Sequence, residues 1–148
     1  MKPERKVSEV KLVYLNEYKS EFVVSSSQQA YELFLDYYDK DTKDLKESFR
    51  VLYLNRSNQP LGMYFVSLGN IAGTTVDVSH IVLAALMLNS SGVLLSHNHP
   101  SGSLEPSAQD KKVTERIREC LQMFDKTLFD HIILTSNGYF SFADENLL

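Results

Sequence analysis

Apolar positions along the chain recur with two periods, and the alternation between them outlines a mixed domain. Val10, Leu12 and Tyr14 share one side of an alternating run, which predicts a strand over Val10–Leu15. A serine run, Ser25–Ser27, follows, and Ser26-x-x-Gln29 has the spacing of a helix capping box. Ala30, Leu33, Phe34 and Tyr37 then recur at helical spacing and give that helix a buried face. Phe49–Leu54 is rich in strand formers and stops at the turn-like cluster Asn55-Arg56-Ser57-Asn58, so a second strand over Gly62–Leu68 pairs with it as a hairpin. Beyond a glycine-containing segment, Val82–Leu88 is apolar almost all round, as in a core helix. Gly92–Ser96 reads as a short buried strand, Pro100–Pro106 as a loop, and Ala108–Phe124 as a helix. Ile132–Thr135 and Tyr139–Phe142 close the chain as a hairpin around Asn137-Gly138. The predicted order is β-α-β-β-α-β-α-β-β, an α/β (mixed α+β) domain with helices packed on a sheet.

Composition narrows the class without changing that picture. A length of 148 residues suits one compact domain over residues 1–148 with a real core. The longest apolar stretch, Ile81–Leu88, is too short to cross a bilayer. The charged N-terminus lacks the apolar run of a signal peptide, so the cytoplasm is the expected location. A single cysteine, Cys120, excludes an internal disulfide and a cysteine-rich zinc site, and is expected to sit near an apolar helix face. A formal net charge of −4 argues against tight non-specific binding to nucleic acid, so direct DNA binding is not expected.

The chemistry concentrates between His97 and Asp110. His97 and His99 stand two residues apart where a buried strand ends, and alternation along a strand turns both imidazoles to the same side. Ser107 is a good N-cap for the next helix, and an acidic residue three positions later suits any first turn. Yet Asp110 lies in the middle of the stripe formed by Val113, Ile117, Leu121 and Phe124. A carboxylate turned toward a core needs a partner, because burying an unpaired charge is very costly. Two convergent imidazoles and an inward carboxylate make a three-ligand zinc (Zn2+) site, with the fourth position left open as a catalytic zinc requires.

The same residues carry a family resemblance. The pattern His-x-His-x7-Ser-x-x-Asp, matched by His97, His99, Ser107 and Asp110, resembles the JAMM motif of JAB/MPN metalloproteases. The surrounding HNHPSG, PS-x-x-D, DHII and YFSF are similar to the RadC branch of that fold, and the likeness runs from about Glu47 to the C-terminus. It implies a JAB/MPN-like (cytidine deaminase-like) domain, a central mixed sheet flanked by helices. It also implies a zinc-dependent, metallopeptidase-like hydrolase cleaving an amide or isopeptide bond in a protein or peptide substrate. In that family a glutamate just ahead of an early central strand is the general base, and the matching position is Glu47, which would otherwise read as a solvated charge. Ser107 would stabilise the developing oxyanion. Longer RadC proteins carry an N-terminal helix-hairpin-helix region for which this chain has no room, so it resembles a short, stand-alone form. His80 stands where the longer branch has a Pro-Arg-containing sequence, a departure outside the catalytic set. His131, after Asp130, resembles a family DH pair, and a structural role is expected ahead of support for a ligand. Asn98 should face away from the ligand side and fix a loop, and Asp77 should cap a helix. The alternatives are a DNA repair or mobile-element-associated protein, including a metal-dependent nuclease, and a non-catalytic interaction module.

Overall fold

The computed structural model describes residues 1, 4–68 and 76–148, with only the backbone of residues 67 and 68; the glycine-containing segment ahead of the second helix lies outside them. Among the described residues the order is α1 (Ser27–Tyr37), β1 (Ser48–Leu54), β2 (Pro60–Leu68), α2 (Val78–Met87), β3 (Gly92–Asn98), α3 (Ala108–Gln122), β4 (Thr127–Thr135) and β5 (Gly138–Ser141). The strands form one mixed sheet in the order β2-β1-β3-β4-β5. β1 runs antiparallel to both β2 and β3, β3 and β4 are parallel, and β4 and β5 are antiparallel. The parallel pair needs a crossover, and α3 supplies it.

The helices cover both faces. Phe49, Val51, Tyr53, Val93 and Leu95 turn to the side of α2 and α3, where they meet Ile81, Ala85, Ile117 and Leu121. Leu52, Leu54, Leu94, Ile132 and Leu134 turn to the other side and pack with Ala30 and Phe34 of α1. Every residue of β3 is therefore buried, as a strand covered on both faces must be.

Ser26 caps α1, its side chain accepting from the Gln29 N–H. The Gln29 side chain reaches back one residue further than a standard box, accepting from the N–H and hydroxyl of Ser25. Asp77 caps α2 as expected, which starts that helix a turn earlier than its apolar run. α2 is not buried all round: Leu83 and Leu86 are exposed, because only Val78, Ile81, Val82 and Ala85 face the core. β4 likewise begins ahead of its apolar run, at Thr127.

The expected strand over Val10–Leu15 is not formed. Its residues carry no strand pairing, and Val10, Leu12 and Leu15 are exposed. Alternation identifies a strand only where a ladder is available to satisfy the backbone, and here the contact with β2 is made by a side chain, the Tyr14 hydroxyl donating to Leu61 O. Cys120 is half-buried and packs against the core through α3.

Candidate metal centre

Three elements meet at the C-terminal end of β3. His97 is the penultimate residue of that strand, and His99 follows its end, held there by its N–H donating to Leu134 O of β4 at 3.0 Å. Asp110 stands at the third position of α3 in a complete capping box. The Asp110 N–H donates to Ser107 Oγ at 3.0 Å, and the Ser107 N–H donates to Asp110 Oδ2 at 2.8 Å. That reciprocal pair fixes the carboxylate with its oxygens toward the histidines, so the cap and the inward carboxylate are one device.

The donor atoms converge. His97 Nε2 and His99 Nε2 are 2.9 Å apart, and Asp110 lies 3.3 Å from the first through Oδ1 and 3.4 Å from the second through Oδ2. Ligands about 2.05 Å from a tetrahedral zinc are separated by about 3.3 Å, so this triangle fits a metal. Hydrogen bonding gives the same answer. His99 Nδ1 lies 2.8 Å from Ser103 O, which can only accept, so Nδ1 carries the proton and Nε2 presents its lone pair. His97 is fully buried, with Nδ1 turned to His131 Nε2 at 2.7 Å and Nε2 toward Asp110 and His99. A lone pair, a second imidazole nitrogen and a carboxylate packed this closely call for a cation among them, a metal ion or a proton.

Electrostatics follow from that arrangement. Burial alone would push the Asp110 carboxyl up, but the adjacent imidazoles of His97 and His99 and the N–H of Ser107 outweigh it and hold it well below the usual carboxylate range. His99 is raised, first by its hydrogen bond with Asp110, and the charges of Asp110 and Glu47 add to the effect. His131 is pushed well below the ordinary imidazole value by burial and then by the neighbouring His97, so it is neutral.

Glu47 reaches this centre through sheet register. β1 is antiparallel to β3 with Phe49 opposite His97, so the segment just ahead of β1 and the one just after β3 lie side by side, close enough for the Glu47 charge to act on His99. Asn98 secures the segment ahead of β1: its Oδ1 accepts from Ser48 N–H at 2.7 Å, and its Nδ2 donates to Lys43 O at 2.5 Å and Lys46 O at 2.8 Å. The reading of Asn98 as a loop-fixing residue thus acquires a purpose, since the loop it holds carries Glu47. Glu47 is partly exposed.

His80 is apart from the cluster, an exposed first-turn residue whose Nδ1 lies 2.8 Å from Asp77 Oδ2. His131 is buried and contacts His97 directly. Thr114 is a further residue of this cluster, outside the sequence motif. It stands one helical turn beyond Asp110, and its Oγ1 is 2.6 Å from His131 Nδ1, so the i, i+4 spacing from an inward carboxylate was the available signal. Asp130 serves the opposite face, where its carboxylate accepts from Ser141 Oγ at 2.6 Å and from the N–H of Ala143 at 3.0 Å.

A mixed sheet between helices, with His-x-His at a central strand end and a carboxylate on the following helix, defines a JAB-type domain. The profile of the RadC-like JAB domain matches residues 24–147, and the chain belongs to that family. Relatives agree. A UPF0758 protein of Flavobacterium johnsoniae is 43% identical over 101 residues, 68% of this chain and 44% of its own length. One from Aquifex aeolicus is 34% identical over 130 residues, 88% of this chain and 54% of its own. UPF0758 protein YfjY of Escherichia coli is 40% identical over 103 residues, 70% of this chain and 64% of its own. The chain thus spans from under half to under two thirds of these relatives.

Proposed function

We propose that this chain is a metal-dependent hydrolase of the JAMM type, which uses zinc to cleave an amide or isopeptide bond in a protein or peptide. The observation that carries the reading is the convergence of His97 Nε2, His99 Nε2 and the Asp110 carboxylate within 2.9–3.4 Å of one another. When bound, zinc supplies Lewis acidity, polarising a carbonyl and letting water attack near neutral pH. Residues of the chain do the rest. His97 is sealed in the core while His99 is partly open to solvent, so substrate approaches from the His99 side. Glu47, on that same side, takes the proton released by the attacking water and returns it to the leaving amine. Ser107 is exposed at the start of α3. Its oxygen accepts from the Asp110 N–H, which leaves the hydroxyl proton available for the developing oxyanion.

The test is turnover of a panel of peptide and isopeptide-linked substrates by zinc-loaded protein, with Glu47→Gln beside wild type. Hydrolysis should be abolished by a chelator and restored by zinc. Glu47→Gln should keep its zinc and its circular dichroism spectrum while kcat falls about a hundredfold or more. Wild-type turnover by Glu47→Gln would remove the base assignment. Cleavage of nucleic acid with no action on any amide would overturn the bond class.

A further inference from the structure

Behind the donor triangle runs a line of buried contacts that the proposed hydrolysis does not use. Thr114 Oγ1 lies 2.6 Å from Asp110 O and 2.6 Å from His131 Nδ1, and His131 Nε2 lies 2.7 Å from His97 Nδ1. Thr114, His131 and His97 are each shut off from solvent, so water cannot substitute for any partner in the series.

We infer that Thr114 and His131 form a proton-ordered brace that holds His97 as its Nδ1–H tautomer, with the Nε2 lone pair aimed at the metal centre. This rests on the metal-centre reading above. The order of protons is set at one end. Asp110 O is a carbonyl and can only accept, so the single hydroxyl proton of Thr114 points to it. Thr114 Oγ1 then accepts from His131 Nδ1–H. A buried neutral imidazole with its proton on Nδ1 accepts at Nε2, so the proton between the two rings belongs to His97 Nδ1. The reverse order would put a proton on His97 Nε2, facing His99 Nε2 at 2.9 Å, and would remove the lone pair from the site. Packing keeps the brace in register. The His131 ring stacks on Phe142 with centroids 4.8 Å apart and meets Phe49 edge-on at 5.5 Å. The line also begins and ends on ligand residues, the Asp110 main chain and the His97 ring, so it couples α3 to β3 through β4. His131 and Thr114 are thus positioning residues, acting through His97.

Two readouts test this on the 15N-labelled protein: the His97 tautomer by imidazole proton–nitrogen correlation in metal-free protein at about pH 8, and zinc affinity by competition with a chelator. Wild type should show His97 as Nδ1–H. His131→Leu and Thr114→Val should lose that single tautomer and bind zinc about 10–100-fold more weakly. His131→Gln, whose Oε1 can accept where Nε2 stood, should recover most of the affinity. If His131→Leu does not fold, Thr114→Val, which keeps the side-chain shape, decides alone. Nε2–H in wild type, or a folded Thr114→Val with wild-type tautomer and zinc affinity, would overturn the inference. Wild type that holds Nδ1–H yet takes up no zinc would overturn the metal-centre reading and uphold the brace.

Discussion

His131 and His99 are two imidazoles of one small cluster, yet their surroundings push them in opposite directions, and the consequence is measurable. His99 is raised in the folded protein, chiefly by Asp110, so its contribution is fully present below the unfolded value of about 6.5 and is lost as pH rises through the folded value. His131 is lowered by burial, so its contribution is present above about 6.5 and is lost as pH falls and the unfolded chain takes up a proton. Metal-free protein should therefore be most stable near the ordinary imidazole range, declining on both sides across about pH 5–8. Chemical denaturation at stepped pH checks this. A steady rise across that window would contradict the His99–Asp110 pairing, and a steady fall would contradict a neutral, buried His131. These two histidines also mark what the sequence could disclose. His97, His99 and Asp110 were readable because strand alternation and helix spacing are local rules. His131 was marked only through its family resemblance, because its contact with His97 is made across two strands 34 residues apart in sequence.

The elements position the site by combining two jobs in one helix. α3 presents Asp110 and Thr114 from its first turns and anchors itself through Val113, Ile117 and Leu121, all buried. The Ile117 side chain is fully enclosed, so Ile117→Ala should cost about 2–5 kcal/mol, read by denaturant unfolding. A loss below about 0.5 kcal/mol, the scale of a surface change, would mean that α3 is not held as described. The periodicity of α3 was plain from the chain, and so was its cap. Glu47 was different: its local sequence, Lys46-Glu47-Ser48, is that of a solvated edge, and only the family resemblance singled it out. The physical reason lies in register. Antiparallel pairing of Phe49 with His97 brings the start of β1 to the end of β3, and register depends on partners that a local pattern does not name. The same limit explains Val10–Leu15, whose alternation is strand-like although no ladder receives it.

At the scale of the whole molecule, net charge is what bears on nucleic acid as a partner. The net charge is −4, and phosphate binding draws on clustered cations whose counterions are released. Duplex DNA should bind weakly at about 150 mM salt, without a steep dependence on ionic strength. A sub-micromolar Kd that weakens sharply as salt rises would bring the DNA-transaction alternative forward. No helix among the described residues is long and apolar enough to cross a membrane. Mixed α/β architecture followed from element order alone, whereas the strand order β2-β1-β3-β4-β5 did not, since it depends on non-local pairing. The proposed hydrolysis turns on a cation held by His97, His99 and Asp110. Elemental analysis of purified protein after zinc exposure and desalting asks about that cation with no substrate needed. Wild type should retain one equivalent of metal per chain, and the double variant His97→Ala, His99→Ala should retain almost none while keeping its fold. Equal metal in the two proteins would contradict the account.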